Sequence, residues 1–154
     1  MKVRSSVLTL AMLFVGFTLC FASNPNLGTW KLNEAKSKIT PGSAKNTKVV
    51  YEAVGDEMKG TVDGVDGEGK PIHSEWTGKF DGKDYPVTGD PTSDTRAIKQ
   101  TDDHHLEITG KKGGKVTTTG HVVVSTDGKS RTLTLTGTDA KGKKFKNTYV
   151  YDKE

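Results

Sequence analysis

The sequence predicts an all-β fold: a single antiparallel up-and-down β-barrel of about ten strands with no helical lid. Three observations point there. Apolar and polar residues alternate at a period of two from Lys48 onward. Gly and Asp cluster at regular intervals between the alternating runs, as turn residues do. Only 32% of the residues are hydrophobic while 18 of 154 are glycine, a balance that a sheet with one watered face tolerates better than a helical bundle. A row of antiparallel strands leaves edges that invite aggregation, and curling the sheet shut removes them. A two-sheet sandwich is the competing arrangement.

The elements follow in order. Asn26-Leu27-Gly28-Thr29-Trp30-Lys31-Leu32 reads as the first strand, with Trp30 plugging one end of the barrel. Residues 33–44 are polar, end in Thr-Pro-Gly-Ser, and have room for one helical turn at Glu34-Ala35-Lys36. Val49, Tyr51 and Ala53 then alternate against Val50, Glu52 and Val54, and Met58, Gly60 and Val62 against Lys59, Thr61 and Asp63. Ile72, Ser74, Trp76, Gly78 and Phe80 form the next inward series. Gly55-Asp56, Asp66-Gly67-Glu68-Gly69 and Asp81-Gly82-Lys83 are the turns between and after these strands. A short strand around Tyr85-Pro86-Val87 precedes the longest break, Gly89 to Ser93. Strands resume at Thr95–Gln100, Leu106–Thr109, Val116–Ser125, Thr132–Thr138 and Phe145–Tyr151, with Asp-rich or Gly-rich turns between them.

Ahead of the barrel, Met1 to Ala22 carries Lys2 and Arg4, an apolar run from Val7 to Leu19, and then small residues. That is the pattern of a secretory signal peptide, too short for a membrane span. The expected division is therefore a leader at 1–22 and a barrel domain at 23–154, exported to the periplasm or secreted, acting as a monomer without stable membrane insertion. Lipidation at Cys20 is the alternative; against it, bulky Leu19 stands where a lipobox wants Gly, Ala or Ser. Cleavage after Ala22 leaves no cysteine, so packing alone must hold the domain. The formal net charge is +4, and losing Lys2 and Arg4 leaves +2 with both signs interleaved. The densest basic run, Lys141 to Lys146, sits at a turn with no zinc-finger or RNA-binding signature, which argues against nucleic acid.

A shift of 73 residues carries Val49, Val50, Gly55, Thr61, Gly64, Asp66, Gly69 and Lys70 onto Val122, Val123, Gly128, Thr134, Gly137, Asp139, Gly142 and Lys143. It also carries Trp76 onto Tyr149. Similar hairpins share turn residues by chance, but the match runs unbroken through two turns, which favours a duplication.

The segment Gly28-Thr29-Trp30-Lys31-Leu32 resembles the opening strand of the calycins, being close to that of fatty-acid-binding proteins and fitting the Gly-x-Trp of lipocalins. Asp127-Gly128-Lys129, Leu133-Thr134-Leu135 and the closing Tyr151-Asp152-Lys153 are similar to the family's last two strands. The resemblance implies a barrel floor at Gly28 and Trp30 and an interior that holds a fatty acid or other small hydrophobe. Residues 33–47 are too few for the helix-turn-helix lid of fatty-acid-binding proteins, and Tyr149 stands where their Arg-x-Tyr clamp has arginine. A secreted lipocalin-like protein is the better comparison.

A barrel of this size is either filled by side chains or hollow. In a hollow one, Tyr51, Trp76, Phe80, Arg96, Tyr149 and Tyr151 are the candidate ligand-binding residues. An inward Arg96 needs an internal carboxylate or an anionic ligand, since burying a lone guanidinium is costly; the alternative is an Arg96 at the strand end that reaches water. The two tyrosines offer neutral hydroxyls. His104 and His105 in Asp102-Asp103-His104-His105 point to opposite faces of a strand, so no metal is expected there. No nucleophile–base set and no carboxylate pair in an apolar stretch stands out, so neither a reaction nor a cofactor is expected. The expected role is binding of a small hydrophobic or amphipathic molecule. The alternative is a filled barrel that contacts the envelope or another protein through its threonine- and lysine-rich outer face.

Overall fold

The computed structural model describes residues 24–139 and 141–154. The expected leader at 1–22 and its Cys20 lie outside the described residues. Ten strands follow one another: β1 (Gly28–Leu32), β2 (Lys45–Val54), β3 (Glu57–Val65), β4 (Pro71–Gly78), β5 (Asp81–Thr88), β6 (Thr95–Gln100), β7 (His105–Lys112), β8 (Lys115–Val124), β9 (Ser130–Thr138) and β10 (Lys144–Lys153). Each pairs antiparallel with its neighbours in sequence, and β1 pairs with β10, so the sheet closes on itself. This is an up-and-down antiparallel barrel, as the sequence predicts. The closing seam is short, with Trp30 opposite Lys153 and Leu32 opposite Tyr151. It is extended by a bridge between Lys38 and Thr148. Between β1 and that bridge lies a single 3-10 turn, Glu34–Lys36, capped by the Asn33 side chain, which accepts from Lys36 N. The lid position holds nothing larger.

One sequence expectation is corrected. Asp81-Gly82-Lys83 is not the turn after β4; the chain reverses at Lys79-Phe80 and these residues already belong to β5. Gly82 has φ +79°, and the pairing with β6 slips between Asp81 and Asp84. Turn chemistry here makes a bulge: Asp81 Oδ1 accepts from Lys83 N at 3.0 Å, and the left-handed glycine absorbs the extra residue. Phe80, outside the strand, still turns its ring inward against Tyr51 and Trp76, with centroids 5.8 and 6.1 Å away.

The inner face is the even-numbered face of β4, β7, β8 and most of β3, and the odd-numbered face of β2, β9 and β10. Its buried core runs from Trp30 through Val49, Tyr51, Val62, Trp76, Val87, Ile98 and Leu106 to Tyr151. Glycines on this face are slots for rings. A Cβ on Gly60 would meet Tyr51 at 2.8 Å, and one on Gly78 would meet the Tyr85 ring at 2.4 Å. The β3–β5 side of the barrel is filled in this way. The β4–β5 pairing is correspondingly slight, with Glu75 opposite Thr88 and Trp76 opposite Val87.

Candidate functional site

Between the filled side and β8–β10 the barrel is hollow. A cavity of about 440 Å³ opens at the end where the chain turns at residues 42–46, 66–68 and 89–92 and beside Asp139 and Lys141. Its size falls within the range of small-molecule sites, roughly 300–1,000 Å³. Val49, Val62, Ile72, Ile108, Leu133, Leu135 and Phe145 supply apolar wall. Tyr51, Arg131 and Tyr151 line it beside Trp30, which is itself fully buried and outside the lining.

The rim is built by local hydrogen bonding. Asp66 Oδ1 accepts from Glu68 N and Lys70 N at 2.8 and 2.9 Å, which folds the β3–β4 turn. These backbone donors hold the Asp66 carboxyl below its usual range. Gly67 then sits so close to the 40–44 loop that an added Cβ would meet Gly42 O at 2.0 Å. Inside the wall, Asn147 Oδ1 accepts from Thr40 N at 2.8 Å and its Nδ2 donates to the Tyr149 hydroxyl at 3.0 Å. That hydroxyl donates to Ala44 O at 2.9 Å. A buried polar chain from β10 thus ties the rim loop down.

The six expected ligand residues divide in two. Tyr51, Arg96, Tyr149 and Tyr151 line the cavity. Trp76 and Phe80 stand outside the lining, in the filled side. The Trp76 indole N–H donates to Arg96 O at 3.0 Å. Arg96 Nη2 donates to Asp90 Oδ2 at 2.8 Å with both side chains largely buried, so its charge is already met. The other Asp90 oxygen accepts from Thr92 N and Oγ1 at 2.8 and 2.7 Å. The internal carboxylate that an inward Arg96 requires is therefore Asp90.

Gly28 and Trp30 lie on β1, outside the cavity lining. Trp30 Nε1 donates to Asn26 O at 2.9 Å. Gly28 has φ +111°, and an added Cβ would meet the Lys153 side chain at 2.9 Å, so only glycine fits there.

Arg131 is the residue that sequence reasoning missed. It is 4% exposed and pairs with no carboxylate among the described residues. Its guanidinium carbon lies 4.9, 5.4 and 4.8 Å from the ring centroids of Trp30, Tyr51 and Tyr151. Its Nε and the Tyr151 hydroxyl are buried without hydrogen-bond partners. Burial lowers the guanidinium's pKa, opposed by the neighbouring Tyr51 and Tyr151; arginine still stays charged in proteins. Burial also drives the Tyr151 hydroxyl well above its ordinary pKa, so it stays neutral. Reading β9 as starting at Thr132 leaves Arg131 in the turn; the strand in fact starts at Ser130. Two signals were available. Arg131 shares the parity of Leu133 and Leu135, and the 73-residue shift carries inward Met58 onto it.

Elsewhere, His104 Nδ1 lies 3.1 Å from Val124 O, and His105 Nδ1 lies 2.7 Å from Asp102 Oδ1. Among the described residues, no three His, Cys, Asp or Glu side chains gather as a metal site. No described helix is long and apolar enough to cross a membrane.

No family model matches the chain. No curated protein matches it. Among solved structures, lobster apocrustacyanin A1 is similar at 14% identity and a TM-score of 0.44. Apocrustacyanin C1 is similar at 14% and 0.45. The similarity covers 86% of this chain and 63% of each of theirs, and it is one of barrel architecture alone.

Proposed function

We propose that this protein is an exported, lipocalin-like barrel that carries one small hydrophobic or amphipathic molecule in its interior and performs no reaction. The observation behind this reading is the cavity of about 440 Å³, apolar along its wall and open at one end. Burying apolar ligand surface there is worth roughly 25 cal/mol per Å², enough for a small amphipath to overcome the freedom it loses. The basic and apolar segments of residues 1–22 supply the case for export. A barrel acting only through its outer face would leave the cavity without a role. The test is to purify the mature protein from its host envelope, incubate it with a mixed lipid extract, and identify by denaturing mass spectrometry what co-elutes. A small molecule retained in near-stoichiometric amount is expected. Empty protein from both preparations refutes the binding role.

A further inference from the structure

The outer face of β7 and β8 carries a pair of histidines that the cavity does not use. His105 lies opposite Val123, and His121 lies opposite Glu107. The two histidines are therefore diagonal neighbours on one face, the side turned away from Leu106 and Val122 of the core. Their rings stack with centroids 5.6 Å apart and 29° between the planes. His104 takes no part, since its Nδ1 turns to Val124 O at 3.1 Å.

Asp102 fixes the chemistry of the pair. Its two oxygens lie 2.7 and 2.8 Å from His105 Nδ1. That hydrogen bond holds the Asp102 carboxyl below its usual range, so it is ionised at neutral pH. An ionised carboxylate only accepts, so Nδ1 carries the ring proton and the neutral imidazole keeps its Nε2 lone pair free. A carboxylate on one nitrogen and a free lone pair on the other is how proteins orient a histidine toward a metal ion. His121 is exposed, and no hydrogen bond or ion pair among the described residues ties its ring. Glu107 adds negative charge beside the pair, and Lys99 stands one strand farther away, opposite Glu107. Zinc–nitrogen bonds of about 2.0–2.1 Å place two ligating nitrogens no more than ~4.2 Å apart. Rings with centroids 5.6 Å apart reach that separation when the untethered His121 ring turns a nitrogen toward His105.

From this juxtaposition we propose that His105 and His121 together bind a divalent transition-metal ion of the zinc type on the outside of the barrel, with Asp102 as the positioning residue. The ion keeps water in its remaining positions. Two protein ligands fall short of the three or four that hold a resident zinc, so this ion exchanges readily with solution. Sequence proximity pairs His105 with His104, which faces away; the second ligand comes from β8 instead. The site lies outside the cavity and does not depend on what the cavity holds.

Zinc chloride titrated calorimetrically into chelator-treated protein at neutral pH is expected to bind at one ion per chain. His105→Ala and His121→Ala should each weaken that binding at least ~tenfold, about 1.4 kcal/mol, while His104→Ala should leave it unchanged. Asp102→Asn should weaken it roughly tenfold. Long-range 1H–15N spectra of the histidine rings are expected to show zinc moving His105 Nε2 and a ring nitrogen of His121, with His105 Nδ1 still protonated. In Asp102→Asn, His105 should lose that fixed tautomer before any zinc is added, a change that a merely structural Asp102 would not produce. No zinc binding, a loss in only one of the His105 and His121 variants, or unchanged affinity in both overturns the paired site. Unchanged affinity and tautomer in Asp102→Asn overturns the positioning role.

Discussion

Replacing Trp30 by phenylalanine tests barrel closure at a fully buried ring on the closing seam. The indole is fully buried, its N–H donates to Asn26 O at 2.9 Å, and two cations approach it, Arg131 and Lys153, each 4.9 Å from the ring centroid. Phenylalanine keeps most of the apolar burial. It loses a buried hydrogen bond, about 1 kcal/mol net, and weakens two cation–π contacts. The buried one is worth up to about 2 kcal/mol, and the one to exposed Lys153 about 0.5. With the small void left by the lesser ring, the expected loss is roughly 2–4 kcal/mol, near the upper part of the range for single substitutions. Urea unfolding at unchanged m-value measures it, and a fall of the order of 10 °C in Tm accompanies it for a domain of this size. A double-mutant cycle with Arg131→Met isolates the stacking, with an expected coupling of about 1 kcal/mol. A loss under about 0.5 kcal/mol with no coupling to Arg131 would put Trp30 in water, and the closed barrel would fall with it.

Other consequences can be measured with the same unfolding assay. Tyr149→Phe breaks the Asn147–Tyr149–Ala44 chain and should cost about 1–3 kcal/mol. Tyr151→Phe, which removes a hydroxyl bonded to nothing, should leave the ligand-free protein unchanged or up to about 1 kcal/mol more stable. Equal losses from the two would show that the hydrogen-bond assignment is wrong. Gly78→Ala drives a methyl into the Tyr85 ring at 2.4 Å and should cost about 1–3 kcal/mol by overpacking at the slightest seam of the sheet; a neutral result would mean that Tyr85 does not lie over Gly78. Finally, the Asp66 carboxyl has a depressed pKa in the folded state, chiefly through backbone donors from Lys70. Its contribution to stability is therefore present above the ordinary carboxylate value and lost as pH falls through the folded one. Tm recorded from neutral to acid pH should fall less steeply in Asp66→Ala than in the parent, and an identical slope would remove Asp66 from the acid response.

The strand count, the order of the strands and the closure between first and last were legible because each rests on a local signal. Period-two alternation marks strands, Asp-Gly pairs mark reversals, and Gly28-Thr29-Trp30 marks the first strand. What failed was local chemistry with two uses. Asp81-Gly82-Lys83 has the composition of a turn. A left-handed glycine after an aspartate serves a bulge equally well, and the choice depends on how β5 must pair with β6. Whether inward glycines leave holes or receive rings was likewise undecidable from spacing, because the occupants of Gly60 and Gly78 come from Tyr51 and Tyr85 on other strands. Arg131 stayed hidden for a related reason: a charged residue beside a turn ordinarily reaches water, and only the three rings from β1, β2 and β10 reveal that this one does not.

The 73-residue shift explains how one sheet comes to have a filled side and a hollow one. The hairpins β3–β4 and β9–β10 share a register: Trp76 lies opposite Gly60, and Tyr149 lies opposite Leu133, each pair carried onto the other by the shift. Their turns share a hydrogen-bond pattern as well, since Asp139 Oδ1 accepts from Lys141 N and Lys143 N, each at 2.9 Å, as Asp66 does from Glu68 and Lys70. The preceding hairpins differ. Val49 faces Val62, whereas Val122 faces Leu133, a slip of two residues from the shifted expectation. A two-residue turn after Val54 is replaced by a longer one after Val124. A slip of two keeps every side chain on its own face, so the core survives while its neighbours change. On one side, glycines at 60 and 78 admit rings that fill the space. On the other, Leu133 and Tyr151 hold the equivalent positions, Arg131 replaces Met58, and space remains in front of a charge. Exchanging Gly60 for leucine, as at its equivalent Leu133, should therefore displace Tyr51 and destabilise the fold, since a Cβ there already meets that ring at 2.8 Å. The reverse change, Leu133→Gly, should enlarge the cavity and cost roughly 2–5 kcal/mol through lost burial and the larger void, with a further small cost from the freer glycine backbone. If Gly60→Leu cost nothing, Tyr51 would not fill the slot at Gly60, and the filled and hollow sides would not differ as described.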